Sequence, residues 1–273
     1  MTSTLHSQTN PYEGVESPEN FPNQEAEDTY RKAVLDKSLQ QLAFIREHFP
    51  QAQDLIEACC GNGRLLMALA QHVRVAKGFD LSNSRINFAN KWISDWGIDN
   101  ITIWQDDILM PSDNAKVDAD LALCITGSFG YFDAITANGG ELAALNLARM
   151  LRPGGSLVME LYQHPNEIQA CKANADGHLR TWSRLSESDP FALYLSDYHF
   201  VEATDILEHK KIFIAKKGDI DDTRQEMLRI YSKQELINLL SVHFEKLWFY
   251  KNWQSEPYAE GDEYMILTAT RKS

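Results

Sequence analysis

The sequence predicts an α/β protein with a doubly wound, mostly parallel sheet of seven strands. Short apolar runs alternate with amphipathic helical segments between residues 54 and 162. This alternation is typical of a parallel sheet whose two faces are covered by helices. The chain has 273 residues, of which 44% are hydrophobic, and a chain of that composition can bury such a core.

The first five strands are predicted, in order, at "DLIEAC", "VRVAKGFD", "ITIWQ", "ADLALCIT" and "SLVMELY". The helices between them are predicted at "GRLLMALAQHV", "SNSRINFANKWISDW" and "GGELAALNLARML". Residues 26–164 are therefore assigned to a core domain. Residues 1–25 are polar and rich in Pro, Asn and Glu, which predicts a flexible arm. One helix is expected to run from near Asp28 to Pro50.

The periodicity changes after Pro165. Aromatic and β-branched runs separated by acidic turns predict a small antiparallel sheet, inserted over residues 165–230 as a lid and substrate region. Ser232 and Glu235 have the spacing of a capping box and predict a further helix. "FEKLWFYKNW" and "DEYMILTATRK" then predict an antiparallel hairpin, so residues 231–273 complete the core sheet.

The charge and composition of the chain indicate which classes of binding partner are disfavoured. The net charge is −13, and a polyanion is repelled by nucleic acid and by anionic membranes. The sequence has no apolar run of the roughly 20 residues that cross a bilayer, no secretory signal and no disulfide framework. We therefore expect a cytoplasmic protein whose main partner is neither nucleic acid nor a membrane, and the charge is compatible with a cationic or neutral small-molecule substrate. A homodimer is compatible with this reading.

The stretch "DLIEACCGNGRLLMALA" holds the first chemical clue. Adjacent Cys59 and Cys60 point to opposite sides of a strand end, which disfavours a metal site or a redox pair. No Lys follows the glycines, so a Walker-type phosphate loop is excluded. A tight strand-to-helix turn remains, in which absent side chains at Gly61 and Gly63 let a ligand lie against the backbone.

Two acidic residues complete this clue. Asp80 ends the next strand about 20 positions after the glycine turn, where a carboxylate binds both hydroxyls of a ribose. Glu57 ends the first strand and would meet a cationic group. NAD is one candidate ligand, but the third glycine of its fingerprint is absent. A single nucleoside bearing an ammonium group fits these residues better.

These residues resemble the class I S-adenosylmethionine-dependent methyltransferases, whose fold is Rossmann-like. "EACCGNGR", "GFDLS", "WQDDILMP", "CITGSFGYF" and "LRPGGSLVMEL" match the family's motifs in order from about Asp54 to Tyr162. Cys59 departs from the pattern, since the family usually has its first glycine there. The resemblance implies that S-adenosylmethionine is the cofactor.

The resemblance also implies a cofactor-binding set. Asp107 and Ile108 match the pair that meets adenine, with Asp107 preferred over Asp106, and Leu81 follows the ribose-binding acid. Cys124 begins the segment whose backbone carbonyl receives the methionine ammonium. From their place at the start of the first helix, Tyr30 and Arg31 are expected to close over the methionine carboxylate. The cofactor-binding residues expected from the sequence are thus Tyr30, Arg31, Glu57, Cys59, Gly61, Gly63, Asp80, Leu81, Asp107, Ile108 and Cys124.

The acceptor site is expected beside the cofactor, at the carboxyl ends of the strands. Tyr131 follows the fourth strand and could either orient an acceptor or simply pack. His164 follows the fifth strand and could remove a proton. His199 is considered as a pocket residue, with core packing the preferred alternative, and Trp182 and Tyr194 as aromatic walls.

The expected activity is methyl transfer to a small molecule, most simply to an amine nitrogen. Methylation of a hydroxyl or carboxylate oxygen is the first alternative. An NAD-dependent oxidoreductase and a non-catalytic binding protein of the same fold remain as alternatives from other classes.

Overall fold

The computed structural model describes residue 16 and residues 21–185, 191–215 and 220–273. The helices are α1 (Gln24–Asp36), α2 (Leu39–His48), α3 (Arg64–Leu69), α4 (Asn83–Asp95), α5 (Gly130–Ile135), α6 (Gly139–Met150), α7 (Pro165–Ala173) and α8 (Lys233–Leu240). The strands are β1 (Asp54–Ala58), β2 (Val75–Asp80), β3 (Ile101–Gln105), β4 (Ala119–Cys124), β5 (Leu151–Tyr162), β6 (His178–Arg184), β7 (Phe191–Val201), β8 (Ile206–Ala215), β9 (Ile220–Arg229), β10 (Phe244–Tyr250) and β11 (Tyr264–Arg271).

Seven strands form the main sheet in the order β10-β11-β5-β4-β1-β2-β3. Strands β1 to β5 pair in parallel, whereas β11 pairs antiparallel with both β5 and β10. The predicted fold class is therefore confirmed, including the antiparallel C-terminal hairpin. The strand order reverses beside β1, and ligands of such sheets bind in the crevice at the carboxyl ends of the strands at this point.

Buried apolar side chains form one hydrophobic cluster on each face of this sheet. Cys59 packs against the cluster that contains Phe129, while Cys60 is a member of the cluster that contains Trp92. The two adjacent cysteines therefore lie on opposite sides of the strand end, as the sequence predicts.

Strands β6 to β9 form a separate antiparallel sheet in sequence order. This sheet lies within residues 165–230, which the sequence assigns to the inserted lid; the boundary of that insertion as a domain stays a prediction. The capping box before α8 is confirmed, since the Ser232 hydroxyl and the Glu235 carboxylate each bind the other residue's backbone N–H.

The N-terminal helix differs from the prediction. It begins earlier, at Gln24, because the Asn23 side chain accepts a hydrogen bond of 2.9 Å from the Ala26 N–H and caps the first turn. It also ends at Asp36, and α2 begins only after Ser38. Most of the predicted arm lies outside the described residues. Among the described residues, no helix is long and apolar enough to span a bilayer.

Candidate active site

The glycine turn after β1 has three residues in the left-handed region of backbone conformation. Their φ angles are +57° at Cys59, +56° at Gly61 and +73° at Gly63. A left-handed conformation costs a residue with a side chain about 1–2 kcal/mol, which explains why glycine is usual at the position of Cys59. The turn accommodates cysteine at position 59 at this energetic cost.

The two glycines are required for internal packing as well as for conformation. A Cβ atom on Gly61 would lie 3.0 Å from the Arg85 guanidinium, and one on Gly63 would lie 2.6 Å from Cδ1 of Ile103. The sequence interpretation, in which the missing side chains make room for a ligand, is therefore incomplete. The space beside these two residues is filled by the protein itself.

Asp80 ends β2 directly beside this turn and is 9% exposed. One carboxylate oxygen accepts a hydrogen bond of 2.9 Å from the Gly61 N–H, and the other accepts one of 2.9 Å from the Ser82 N–H. The carboxylate is thus held at the carboxyl edge of the sheet, where the sequence predicts a ribose. Leu81, which follows it, is 51% exposed.

Glu57 is the most unusual group in the crevice. It is 3% exposed, and its Oε2 atom has no hydrogen-bond partner among the residues that the structure describes. Burial raises the pKa of Glu57 to about 8; the Arg64 guanidinium opposes this rise and Asp80 adds to it. A buried, unpartnered carboxylate gains most from a cationic ligand group. The site therefore fits a ligand that brings an ammonium group to the end of β1.

Arg64 is a site residue that sequence reasoning did not single out. Its guanidinium donates hydrogen bonds to Ser38 Oγ at 2.6 Å, Gln41 Oε1 at 2.7 Å and Thr126 Oγ1 at 3.4 Å. It thereby joins α2, the glycine turn and the loop after β4. An Arg directly after the glycines, beside a buried Glu, was the available clue.

The loop after β4 is fixed by Glu160, which was also missed. Glu160 is 5% exposed and accepts hydrogen bonds from the Thr126 N–H at 2.8 Å and from the Trp253 indole at 3.0 Å. A Glu inside the apolar run "VMEL" was the clue. The Cys124 side chain is fully buried in the core, so only its backbone is available for the predicted cofactor contact.

Asp106 and Asp107 follow β3 and have different surroundings. The Asp106 carboxylate accepts hydrogen bonds from the Trp104 indole and from both the N–H and the hydroxyl of Ser112. The Asp107 carboxylate accepts one bond, of 2.9 Å, from the Leu109 N–H. Asp106 is thus occupied by the loop itself, which supports the choice of Asp107 for adenine. Ile108 is buried beside it, at 3% exposure.

Arg31 is not at the cofactor site, which corrects the sequence prediction. Its guanidinium is fully buried and forms ion pairs of 2.5 Å with Glu27 and 2.9 Å with Asp95. Asp95 is the last residue of α4, at the end of that helix remote from the crevice. Arg31 therefore joins α1 to α4. The Tyr30 hydroxyl donates a hydrogen bond of 2.7 Å to Glu16, and the Tyr30 ring packs edge-on against Phe88 at 5.9 Å. Its contact with the cofactor stays a prediction.

His164 lies where the sequence places a candidate base. It has a left-handed backbone, with φ of +48°, just before α7. Its Nε2 atom is buried without a hydrogen-bond partner among the described residues, and its ring lies 6.1 Å from that of Tyr162. Burial lowers the pKa of His164, so the imidazole is neutral near pH 7. Tyr131 lies on α5 and packs against the core.

A polar cluster on the inner face of the small sheet adjoins His164. The His209 Nε2 atom lies 2.5 Å from the Ser196 hydroxyl and 3.1 Å from that of Tyr194, and the His209 ring stacks on Tyr198 at 3.8 Å. Burial and the charge of Lys211 lower the pKa of His209 to about 3. This face therefore presents neutral imidazoles and hydroxyls beside the ion pair of 2.5 Å between Lys211 and the buried Glu226.

Trp182 and His199 lie on the opposite face of the small sheet. Trp182 pairs with Leu195 and is 69% exposed, so the structure places it away from Tyr194 and from His164. His199 stacks on His178 at 4.7 Å instead of facing the pocket or packing in the core. Among the described residues, no group of three or more His, Cys, Asp or Glu could hold a metal ion.

Comparison with known proteins agrees with this geometry. Residues 55–155 match the model of a methyltransferase domain. No curated protein sequence matches the chain significantly. The fold resembles an S-adenosylmethionine-dependent methyltransferase from Clostridium acetobutylicum, with a TM-score of 0.70, 15% identity and coverage of 86% of this chain and 92% of that one.

Two further solved structures are similar. One is CalS10, an amino pentose methyltransferase from Micromonospora echinaspora with S-adenosylmethionine bound, with a TM-score of 0.63, 18% identity and coverage of 93% of this chain and 99% of that one. The other is KedS8, a sugar N-methyltransferase from Streptoalloteichus, with a TM-score of 0.62, 19% identity and coverage of 90% and 87%.

Residues 55–155 therefore match a methyltransferase domain. The chain shares its fold with solved S-adenosylmethionine-dependent methyltransferases.

Proposed function

We propose that this chain is an S-adenosylmethionine-dependent methyltransferase that transfers the methyl group to an amine nitrogen of a small-molecule acceptor. His164 carries the proposal, because its neutral imidazole has a buried Nε2 atom without a partner among the described residues. An aliphatic amine is largely an ammonium ion at neutral pH and must lose a proton before its nitrogen can attack. A neutral imidazole beside the reaction site can accept that proton.

The chain's other groups hold the cofactor. When bound, S-adenosylmethionine supplies a methyl group on a sulfonium, which is already a good leaving group. The Glu57 carboxylate, whose Oε2 atom has no hydrogen-bond partner among the described residues, is proposed to meet the cofactor's ammonium group. Asp80 is proposed to bind the ribose hydroxyls. Asp107 and Ile108 are proposed to meet adenine. The protein's catalytic task is then to orient the acceptor, accept its proton and exclude water.

The inner face of the small sheet supports an acceptor rich in polar groups. Ser196, Tyr194 and the neutral imidazole of His209 offer uncharged hydrogen-bonding groups there. The ring face of Tyr198, 6.3 Å from that of His164, would favour a cationic amine. CalS10 is an amino pentose methyltransferase and KedS8 is a sugar N-methyltransferase, and an amino sugar combines hydroxyl groups with an amine.

Oxygen methylation is less well supported by the same observation. An alcohol holds its proton far more tightly than an ammonium ion does, and lowering the pKa of His164 makes it a weaker base. The nitrogen acceptor is therefore preferred over an alcohol.

The test is an acceptor screen in matched pairs. The purified enzyme is incubated with S-adenosylmethionine and either a small amine or its hydroxyl analogue, and mass spectrometry records methylated product together with S-adenosylhomocysteine. Product from amines but not from the paired alcohols supports the proposal. Product from the alcohols alone would overturn it in favour of an O-methyltransferase.

A further inference from the structure

Glu16 is a buried carboxylate that precedes the first helix. It is 2% exposed although it lies eight positions before Gln24, where α1 begins. Its Oε1 atom accepts hydrogen bonds of 2.7 Å from the Tyr30 hydroxyl and 2.8 Å from the Asn62 amide, and its Oε2 atom accepts one of 2.8 Å from Arg85 Nε. Both oxygens are therefore satisfied, as a buried carboxylate requires.

Two of these three partners belong to the cofactor turn or lie against it. Asn62 lies between the two glycines, is itself 5% exposed, and accepts a hydrogen bond of 3.2 Å from the Arg64 N–H through its Oδ1 atom. The Arg85 guanidinium lies against Gly61, within 3.0 Å of where a Cβ would be. Glu16 thus contacts the turn directly, through the Asn62 side chain, and indirectly, through the Arg85 side chain that packs against Gly61.

The contacts form one connected path to the ribose-binding acid. Arg85 packs on Gly61, and the Gly61 N–H donates to the Asp80 carboxylate. Without Glu16, the Arg85 guanidinium and the Asn62 amide would each lose a buried acceptor, which is costly for a buried donor. The turn they support would then be less well fixed.

We propose that Glu16 is a positioning residue for the cofactor: it fixes the glycine turn in the form that binds S-adenosylmethionine. Glu16 acts through Asn62 and Arg85. Because coupling between two binding events is reciprocal, cofactor binding also strengthens the docking of Glu16. This role concerns the cofactor alone and does not depend on which acceptor is methylated.

The test compares Glu16→Gln with Glu25→Gln by calorimetric titration with S-adenosylhomocysteine. Glu25 is an exposed acidic residue in the first turn of α1, so its variant makes the same change of charge nearby without touching the turn. The Gln amide at position 16 would face the Arg85 donor. We expect Glu16→Gln to weaken binding about tenfold, a coupling of ordinary size, and Glu25→Gln to bind like the wild type.

Hydrogen exchange supplies a second readout that does not require ligand. We expect Glu16→Gln to speed amide exchange at residues 60–63 and to leave the strands of the main sheet unchanged, which also shows that the variant is folded. Arg85→Gln, alone and combined with Glu16→Gln, completes a double-mutant cycle in which the losses of affinity are not additive.

Three results would overturn the proposal. The first is wild-type binding of S-adenosylhomocysteine by Glu16→Gln, with unchanged exchange at the turn. The second is an additive cycle with Arg85→Gln. Either result removes the role of Glu16 and leaves the cofactor assignment standing. Failure of the wild type to bind S-adenosylhomocysteine would instead overturn the cofactor assignment, and this proposal with it.

Discussion

The Asp80 carboxylate accepts a hydrogen bond of 2.9 Å from the backbone N–H of Gly61, across the gap between β2 and the glycine turn. The same carboxylate binds the N–H of Ser82, so it organises the crevice before any ligand arrives. A ribose would share a carboxylate that already has a structural task. Asp80 therefore contributes both to the shape of the turn and to the proposed cofactor contact.

Replacing Asp80 should affect both tasks. We expect Asp80→Ala to weaken S-adenosylhomocysteine binding more than tenfold, because it removes a charge-assisted hydrogen bond. The structure adds that the variant should also melt at a lower temperature without ligand, since the N–H of Gly61 loses its acceptor. Calorimetric titration and thermal melting measure the two effects. Unchanged affinity would contradict the ribose assignment.

At position 59, a glycine variant should be more stable than an alanine variant, which reverses the usual order of the two residues. Its φ of +57° is available to glycine at no steric cost, whereas a Cβ atom there costs about 1–2 kcal/mol. Cys59→Ala keeps this cost and loses the thiol, while Cys59→Gly loses the thiol and the cost together. We therefore expect Cys59→Gly to be more stable than Cys59→Ala by about 1 kcal/mol in urea unfolding. Equal stabilities would mean that the left-handed conformation is relaxed in solution.

The strands of the core were predictable from the sequence because each is a short apolar run bounded by turn residues. The register of those runs also placed Glu57 and Asp80 at one edge of the sheet. Helix α5 was missed because its six residues are too few to show a helical period. The break at Ser38 was missed because the apolar spacing continues across it.

Other features of the site depend on contacts between distant positions. Glu16 meets Asn62 and Arg85 across separations of 46 and 69 residues, and no local pattern predicts such a pairing. Alternation along β6 showed that Trp182 lies on one face, but not which face points inward. From the sequence, Arg31 looked free to bind a cofactor, because one of its ion-pair partners, Asp95, is contributed by another helix.

Glu57 predicts a pH dependence whose sign follows from its burial. Its pKa is raised to about 8, from 4.5, so between these values the folded protein holds a proton that the unfolded chain has released. Folding stability therefore falls as pH rises through this window. We expect Glu57→Gln to melt at a higher temperature than the wild type at about pH 8, and at a similar temperature at about pH 4.

The affinity for the cofactor should have the opposite dependence on pH. An ammonium group beside Glu57 favours the ionised carboxylate, so binding of S-adenosylmethionine releases a proton from Glu57 and strengthens as pH rises from about 6 toward 7.5. Calorimetry in two buffers of different ionisation enthalpy measures the proton release. Glu57→Gln should abolish this share of the release and weaken binding. Identical release by both proteins would refute the contact.

The two faces of the small sheet should differ in their effect on the acceptor. The Tyr194 hydroxyl lies 3.1 Å from His209 on the inner face, whereas Trp182 is 69% exposed on the outer face. We expect Tyr194→Phe to raise the KM for the acceptor severalfold, and Trp182→Thr to leave both KM and kcat unchanged. Steady-state kinetics with an acceptor found in the screen measure this contrast. An effect of Trp182→Thr alone would place the acceptor on the outer face.

His164 provides the most direct test of the chemistry. Asn tolerates the left-handed backbone of this position but cannot act as a base, so His164→Asn should fold normally and bind S-adenosylhomocysteine like the wild type. Its kcat should fall about 10²–10⁴-fold, the usual contribution of a general base. Wild-type turnover by His164→Asn would exclude His164 as the base.

The pH profile separates this role from a structural one. Wild-type kcat should decline only below about pH 6.5, because burial lowers the pKa of His164 from that value and protonation blocks the base. The Glu167 carboxylate, 3.7 Å from His164 Nδ1, partly opposes this shift. Glu167→Gln should therefore move the acid limb to still lower pH while retaining the activity near pH 8. A limb that stays in place would assign the titration to a group other than His164.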